Sequence, residues 1–99
     1  MLNISKSIDG NRAVFSLEGR LDTVTAPELE SGLREIYDGI TELVFDFGQL
    51  EYISSAGLRV LLTAQKVMSN QGSMKIQHVN ASIMEIFEIT GFSDILTIE

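Results

Sequence analysis

No cysteine occurs among these 99 residues, so the chain can form neither a disulfide, nor a thiolate metal site, nor a sulfur nucleophile. Basic residues are scarce as well. Seven Lys and Arg face 14 Asp and Glu, and the formal charge of -7 repels phosphate backbones and anionic lipid heads while favouring partners that present Lys or Arg. Nucleic acid is therefore not an expected ligand. No apolar run approaches the roughly 20 residues that span a bilayer, and Met1 to Lys6 lacks the basic start and apolar stretch of a secretory leader. A cytoplasmic protein without direct membrane insertion is expected. Proline occurs once, and no repeat, low-complexity tract or linker interrupts the chain.

What is present suits one packed globule. Apolar residues make up 44% and charged residues 21%, a balance that supports a core instead of a disordered tail. A chain of this length buries one core, not two, so residues 1–99 are read as one domain.

Leu2, Ile4 and Ile8 fall on alternate positions, Asp9-Gly10-Asn11 supplies turn chemistry, and Ala13, Phe15 and Leu17 alternate again, which predicts an antiparallel hairpin. Thr25 and Glu28 have capping-box spacing, with Pro27 in the first turn, so a helix is expected to start there. Its stripe is Leu29, Leu33, Ile36 and Tyr37, and Asp38-Gly39 is its expected end. Leu43 to Phe47 reads as an interior strand covered on both faces, with Asp46 near its end.

From Ser54 or Ser55 to about Asn70 the period becomes helical, with Leu58, Leu61, Leu62, Gln65 and Met68 on one side and Val60, Ala64 and Val67 beside them. Gly72 follows as a stop. Met74 to Val79 reads as a strand, Asn80 caps a third helix striped by Ile83, Ile86, Phe87 and Thr90, Gly91 ends it, and Ile95 to Ile98 suggests a last short strand. The order ββαβαβαβ predicts an α/β fold: a mixed sheet with an N-terminal antiparallel hairpin and right-handed crossovers onto parallel strands. Which face each helix covers does not follow from these patterns.

Most candidates for chemistry dissolve on inspection. The single histidine, His78, falls in a predicted strand on the side of Met74 and Ile76, with no cysteine or second histidine to complete a metal site or nucleophile pair. It reads as structural. Asp46-Phe47-Gly48 spells the metal-binding triplet of protein kinases, but the Gly-rich loop, strand lysine and catalytic loop are missing. Glu28, Glu30 and Glu35 on the first helix suit a solvated face better than paired carboxylates. No two glycines lie close enough to form a phosphate cradle. A small hydrolase or nucleotide-binding enzyme thus lacks its constellation; no catalytic, cofactor or metal residues are assigned.

Tyr52 to Leu58 is different, because two adjacent hydroxyls, Ser54 and Ser55, arrive at the start of the most apolar helix. The plain reading is that one of them is an N-cap contributing about 1 kcal/mol, while Gly57 permits tight packing. The functional reading is that a serine here can be phosphorylated without unfolding the chain, since a helix start offers free amides and a favourable dipole to a dianion. The added phosphate would take the charge from -7 to about -9 and block a partner instead of the fold.

At this point the chain resembles STAS domains of the anti-sigma-factor antagonist type. Leu17-Glu18-Gly19-Arg20-Leu21-Asp22 is similar to the family's first block, Leu43 to Asp46 to its central strand, and Ser54 to Leu62 to its switch motif, Asp-Ser-Ser/Thr-Gly-Leu followed by an apolar helix. The resemblance puts Ser55 on the phosphoacceptor serine and Asp22 on an acidic residue near the switch loop. Ser54 stands where the signature has Asp, and Ala56 where it has Ser or Thr. It implies a partner-binding surface of Asp22, Ser54, Ser55, Ala56, Gly57 and Arg59. It also implies partner switching: the unmodified chain binds an anti-sigma factor that is a serine kinase, releasing a sigma factor; phosphorylation of Ser55 ends the binding, and a serine phosphatase resets it. ATP and metal then belong to the partners, and the chain itself needs no cofactor. The other reading of the same resemblance is a constitutive scaffold, or a subunit of a membrane-associated transport complex, in which Ser55 carries no phosphate.

Overall fold

The computed structural model describes residues 1–99. Strand β1 (Leu2–Asp9) and strand β2 (Arg12–Leu21) form the expected antiparallel hairpin, in register from Leu2 opposite Gly19 to Asp9 opposite Arg12. Helix α1 (Ala26–Arg34), strand β3 (Glu42–Ile53), helix α2 (Ser55–Ser69), strand β4 (Ser73–Gln77) and helix α3 (Ala81–Thr90) follow. A 3-10 turn at Phe92–Asp94 leads to the C-terminus, where the last β contact is a single parallel bridge of Ile98 to Ile76.

The sheet order is β1-β2-β3-β4, with β2, β3 and β4 parallel. That order places α1 and α2 on one face: two successive right-handed crossovers that step the same way along a sheet must put both helices on the same side. Helix α3 packs there too, Phe87 lying 6.5 Å from Phe47 between ring centroids. The covered face carries Ala13, Phe15 and Leu17 of β2, Leu43, Phe45 and Phe47 of β3, and Met74 and Ile76 of β4, all buried in one cluster with Leu29, Leu33, Leu61, Met68 and Ile83 from the helices. An aromatic chain runs through it, Phe15 to Phe45 at 6.1 Å and Phe45 to Phe47 at 5.9 Å.

The other face carries no helix, so the expectation that β3 is covered on both sides is not met. Period-2 alternation puts Ser5, Ser16, Asp46 and Gln77 in one cross-strand row there. β3 is also longer than expected, and Asp46 is its fifth residue instead of lying near its end. Register shifts between Ser16 and Glu18, and between Gly19 and Arg20, bend the β2–β3 pair and let both strands run on to the loop that precedes α2.

Helix α1 ends sooner than its stripe suggested. Ile36 and Tyr37 leave the helix but stay packed in the turn, and Gly39 takes φ +89, four residues after the helical C-cap Glu35. β4 stops at Gln77 because His78 adopts φ +60, which turns the chain out of the sheet; His78 is exposed and does not join Met74 and Ile76. Helices α2 and α3 match their expected bounds. Asn80 caps α3 by accepting from the Ile83 amide at 2.9 Å, and Gly91 closes it at φ +82.

Candidate functional site

The ends of β2 and β3 lie side by side, with Arg20 opposite Tyr52 and Leu21 opposite Ile53. Immediately beyond, the Ser54 amide donates to the Leu21 carbonyl at 2.8 Å, so the loops β2–α1 and β3–α2 are held at one pole of the molecule. Ser54 is extended, at φ -97° and ψ 175°, and is the N-cap of α2: its hydroxyl accepts from the Gly57 amide at 3.4 Å and its carbonyl accepts from Leu58 at 2.9 Å. The Ser54 amide is thereby tied to β2, while its hydroxyl oxygen and its carbonyl accept from the first amides of α2.

Ser55 differs. It is the first helical residue, it is exposed, and its hydroxyl takes no part in the side-chain hydrogen bonds of the fold. Of the two serines, one builds the helix start and the other stands at it. The Ser55 hydroxyl is accessible, next to amides that lack intrahelical partners.

Gly57 is buried against the sheet end. A Cβ placed on it would meet Leu21 Cγ at 2.7 Å and Ile53 Cγ1 at 2.9 Å, so only glycine lets α2 approach β2 and β3 this closely. Leu58, Val60, Leu61, Ala64 and Met68 then bury the helix, while Leu62 and Gln65 are half-buried. Ala56 is half-buried and packs against the core.

Asp22 reaches the same pole, but its carboxylate is occupied by its own loop. Oδ1 accepts from the Val24 amide at 3.0 Å and the Thr25 amide at 3.0 Å. The Asp22 amide donates to Thr25 Oγ1 at 2.9 Å, and the Thr25 hydroxyl donates to the Arg20 carbonyl at 2.8 Å. The Thr25 amide, ahead of the Thr25 hydroxyl and the Val24 amide, holds the Asp22 carboxyl below the usual carboxylate range, because hydrogen bonds to the charged form favour it. The same geometry corrects the expected capping box: Thr25 makes no side-chain cap to α1, since its hydroxyl is spent bridging Arg20 and Asp22. An Asp followed two and three residues later by free amides is an Asx-turn pattern, and that was the sequence signal for this loop.

Around Ser55 the surface is mixed. The Arg20 guanidinium lies 4.2 Å from the centre of the Tyr52 ring, and Val24 is 79% exposed, a large apolar side chain left in solvent at the entry to α1. A groove of about 250 Å³ runs between the starts of the two helices, with Ala26, Pro27 and Glu30 on one wall and Ala56, Arg59 and Val60 on the other. The residues singled out in the sequence, Asp22, Ser54, Ser55, Ala56, Gly57 and Arg59, thus fall together at one pole. Arg20, Val24 and Tyr52 belong to the same surface and were not read from the sequence.

A second depression, about 430 Å³, lies on the open sheet face, where Asp46 Oδ1 is 3.1 Å from His78 Nδ1 and Glu18, Gln49 and Asn3 line the rim. The Gly48 amide and then His78 hold the Asp46 carboxyl below its ordinary range. No three His, Asp or Glu side chains come close enough to hold an ion. No helix is long and apolar enough to cross a membrane.

Residues 3–99 match the STAS domain family model. BtrV of Bordetella bronchiseptica, named for the role of an anti-sigma factor antagonist, is 39% identical over 93 residues, covering 92% of this chain and 79% of that one. The anti-sigma-B factor antagonist of Listeria monocytogenes is 31% identical over 104 residues, covering 99% and 90%. Among solved structures, an anti-sigma factor antagonist from Mycobacterium paratuberculosis superposes with a TM-score of 0.89 at 21% identity, covering 99% of this chain and 85% of that one. Phosphorylated SpoIIAA of Bacillus gives 0.78 at 14% identity, covering 98% and 91%. A sulfate transporter family protein from Wolinella succinogenes gives 0.77 at 16%, covering 92% and 75%.

Proposed function

The chain belongs to the STAS domain family, and within it we propose that it is an anti-sigma factor antagonist switched by phosphorylation of Ser55. In the unmodified form the pole built on Ser54, Ser55 and the α1–α2 groove binds an anti-sigma factor that is also a serine kinase, and the sigma factor held by that protein is released. The kinase transfers the γ-phosphoryl group of ATP: the Ser55 Oγ–P bond forms, the bond to the ADP oxygen breaks, and the hydroxyl proton leaves to a base of the kinase. A serine phosphatase returns the hydroxyl by hydrolysis, releasing inorganic phosphate. This chain is the binding module of the cycle, and the chemistry, nucleotide and metal belong to its partners.

The observation that carries the reading is the division of labour between adjacent serines. Ser54 is consumed by the helix start, whereas Ser55 is exposed and uncommitted one residue later. A phosphate on Ser55 breaks no hydrogen bond of the fold, so it alters what the surface presents and not whether it forms. The charge of the chain moves from -7 to about -9 at that pole, against a partner selected to meet a hydroxyl.

The test is intact-mass spectrometry with the candidate kinase and ATP beside a pull-down, using wild type, Ser55→Ala and Ser55→Asp. One phosphate that is absent from Ser55→Ala, together with binding lost in Ser55→Asp, supports the switch. Binding by all three forms with no phosphate added leaves the second reading, a constitutive scaffold or transport-complex subunit, which is favoured by the shared fold of the sulfate transporter family protein.

A further inference from the structure

Helix α2 inverts the charge of the molecule. The chain has 14 acidic residues, yet α2 contains none, and it holds two of the seven basic residues, Arg59 and Lys66. These two are also the only Lys or Arg side chains without an ion pair: Lys6, Arg12, Arg20, Arg34 and Lys75 all lie within 4.0 Å of a carboxylate. Two acids at this pole are already engaged. Glu30, the one acidic residue lining the groove with Arg59, pairs with Arg34 at 3.1 Å, and Asp22 is bound by its own loop.

Arg59 follows Ser55 by four residues on the same helix, and both are exposed. At about 100° per residue, four steps return to within roughly 40° of the starting direction, which brings the two Cβ atoms to about 5–6 Å. From there the guanidinium fork reaches a phosphate on Ser55 and can donate two parallel N–H bonds to its oxygens. Lys66 points within about 20° of Ser55 but lies 11 residues along, about 16 Å of helix rise away, beyond the reach of its side chain.

Resting on the reading of Ser55 as the acceptor, we propose that Arg59 is the positioning residue of the switch: an intramolecular latch that closes on the Ser55 phosphate. Phosphorylation then does two things at once. It adds a dianion at the pole, and it withdraws the one free guanidinium that the unmodified groove offers to a partner. The latch also fixes the phosphate against the helix surface, in a geometry that a carboxylate reproduces poorly, since Asp at position 55 has a shorter reach, one less charge and fewer acceptor oxygens.

The latch can be measured on this chain without any partner. Phosphoserine is installed at position 55 during translation, and its second ionisation, ordinarily near 6, is followed by phosphorus NMR against pH in wild type, Arg59→Gln, Arg59→Lys and Lys66→Gln. Because ion pairing favours the dianion, Arg59→Gln is expected to raise the midpoint by about 0.2–0.4 pH unit. Arg59→Lys should keep only part of the lowering, since it retains the charge but not the paired N–H bonds, Lys66→Gln should match wild type, and high salt should erase the difference. Superimposable titrations for wild type and Arg59→Gln overturn the latch, as does an equal rise in Lys66→Gln, which would mark a diffuse field and not a contact. Neither result depends on a kinase accepting Ser55, so a failed phosphorylation in the partner assay counts against the switch and a phosphorus titration unchanged by Arg59→Gln counts against Arg59.

Discussion

The Ser54 amide donates to the Leu21 carbonyl at 2.8 Å, and this bond joins the loop that starts α2 to the loop that Asp22 and Thr25 fold. It means that the switch segment is not a free excursion. Its backbone is an extension of the β2–β3 pairing, clamped one residue past the last paired positions, Leu21 and Ile53.

The tightest contact at that junction is the face of Gly57. Gly57→Ala should destabilise the protein by about 1–3 kcal/mol, the usual cost of overpacking, because the new methyl group lies 2.7 Å from Leu21 Cγ and neither that branch point nor Ile53 Cγ1 is a flexible side-chain end. The gain in helix propensity from Ala, about 1 kcal/mol, offsets part of this without reversing it. Urea denaturation of the two proteins measures the difference; a variant as stable as wild type would show that α2 can lift from the sheet at no cost.

Acid should weaken the fold through two carboxylates. Asp22 and Asp46 both have folded-state values below the ordinary 3.8, so the folded protein binds fewer protons than the unfolded one as pH falls past that range. Their contribution is present above about pH 4 and is lost progressively as the pH drops through the lowered values. Thermal melts from pH 7 to pH 3 should show this loss. Asp22→Asn keeps an oxygen for the Val24 and Thr25 amides but cannot titrate, and should flatten the slope.

Alkali acts through Tyr37. Burial first, and then the nearby Glu30, push its phenol up to about 12, while Arg34 pulls it back. The neutral form is favoured in the fold, so the contribution is complete below pH 10 and is lost as pH rises toward 12. Difference absorbance at the phenolate band should show a late tyrosine that is missing in Tyr37→Phe. Absence of any late phenol would contradict the partly buried placement of Tyr37.

Local signals carried much of this fold. The hairpin, α2 and α3 were legible because their alternation, stripes and caps are set by neighbours in sequence, as with Asn80 and Gly91. What failed was what depends on distant chain. Ile36 and Tyr37 are packed as a helical stripe would pack them, yet they lie in a turn, and periodicity cannot tell the two apart. The second half of β3 was invisible because its bulged pairing with β2 leaves Gln49, Glu51 and Tyr52 exposed and breaks the alternation. Coverage of one face only followed from the strand order β2-β3-β4, which no local pattern encodes. At the switch, motif spacing put Ser55 on the acceptor position, but which of the two serines caps α2 was open in the sequence, and backbone geometry assigned the cap to Ser54.

That distinction has its own measurable consequence. Ser54→Ala removes the oxygen that accepts from the Gly57 amide and should cost about 1 kcal/mol, as losses of N-caps do. Ser55→Ala removes a hydroxyl with no partner in the fold and replaces an exposed helical Ser by a better helix former, so its stability should stay within about 0.5 kcal/mol of wild type. Ser54→Asp restores the residue of the antagonist signature; its carboxylate can cap Gly57 and meets the positive end of the α2 dipole, so it should equal or exceed wild type. Equilibrium unfolding of the three variants gives the order directly. Were Ser55→Ala the costly one, the cap would lie on Ser55, its hydroxyl would be committed to the fold, and a phosphate there would have to break the helix start instead of decorating it.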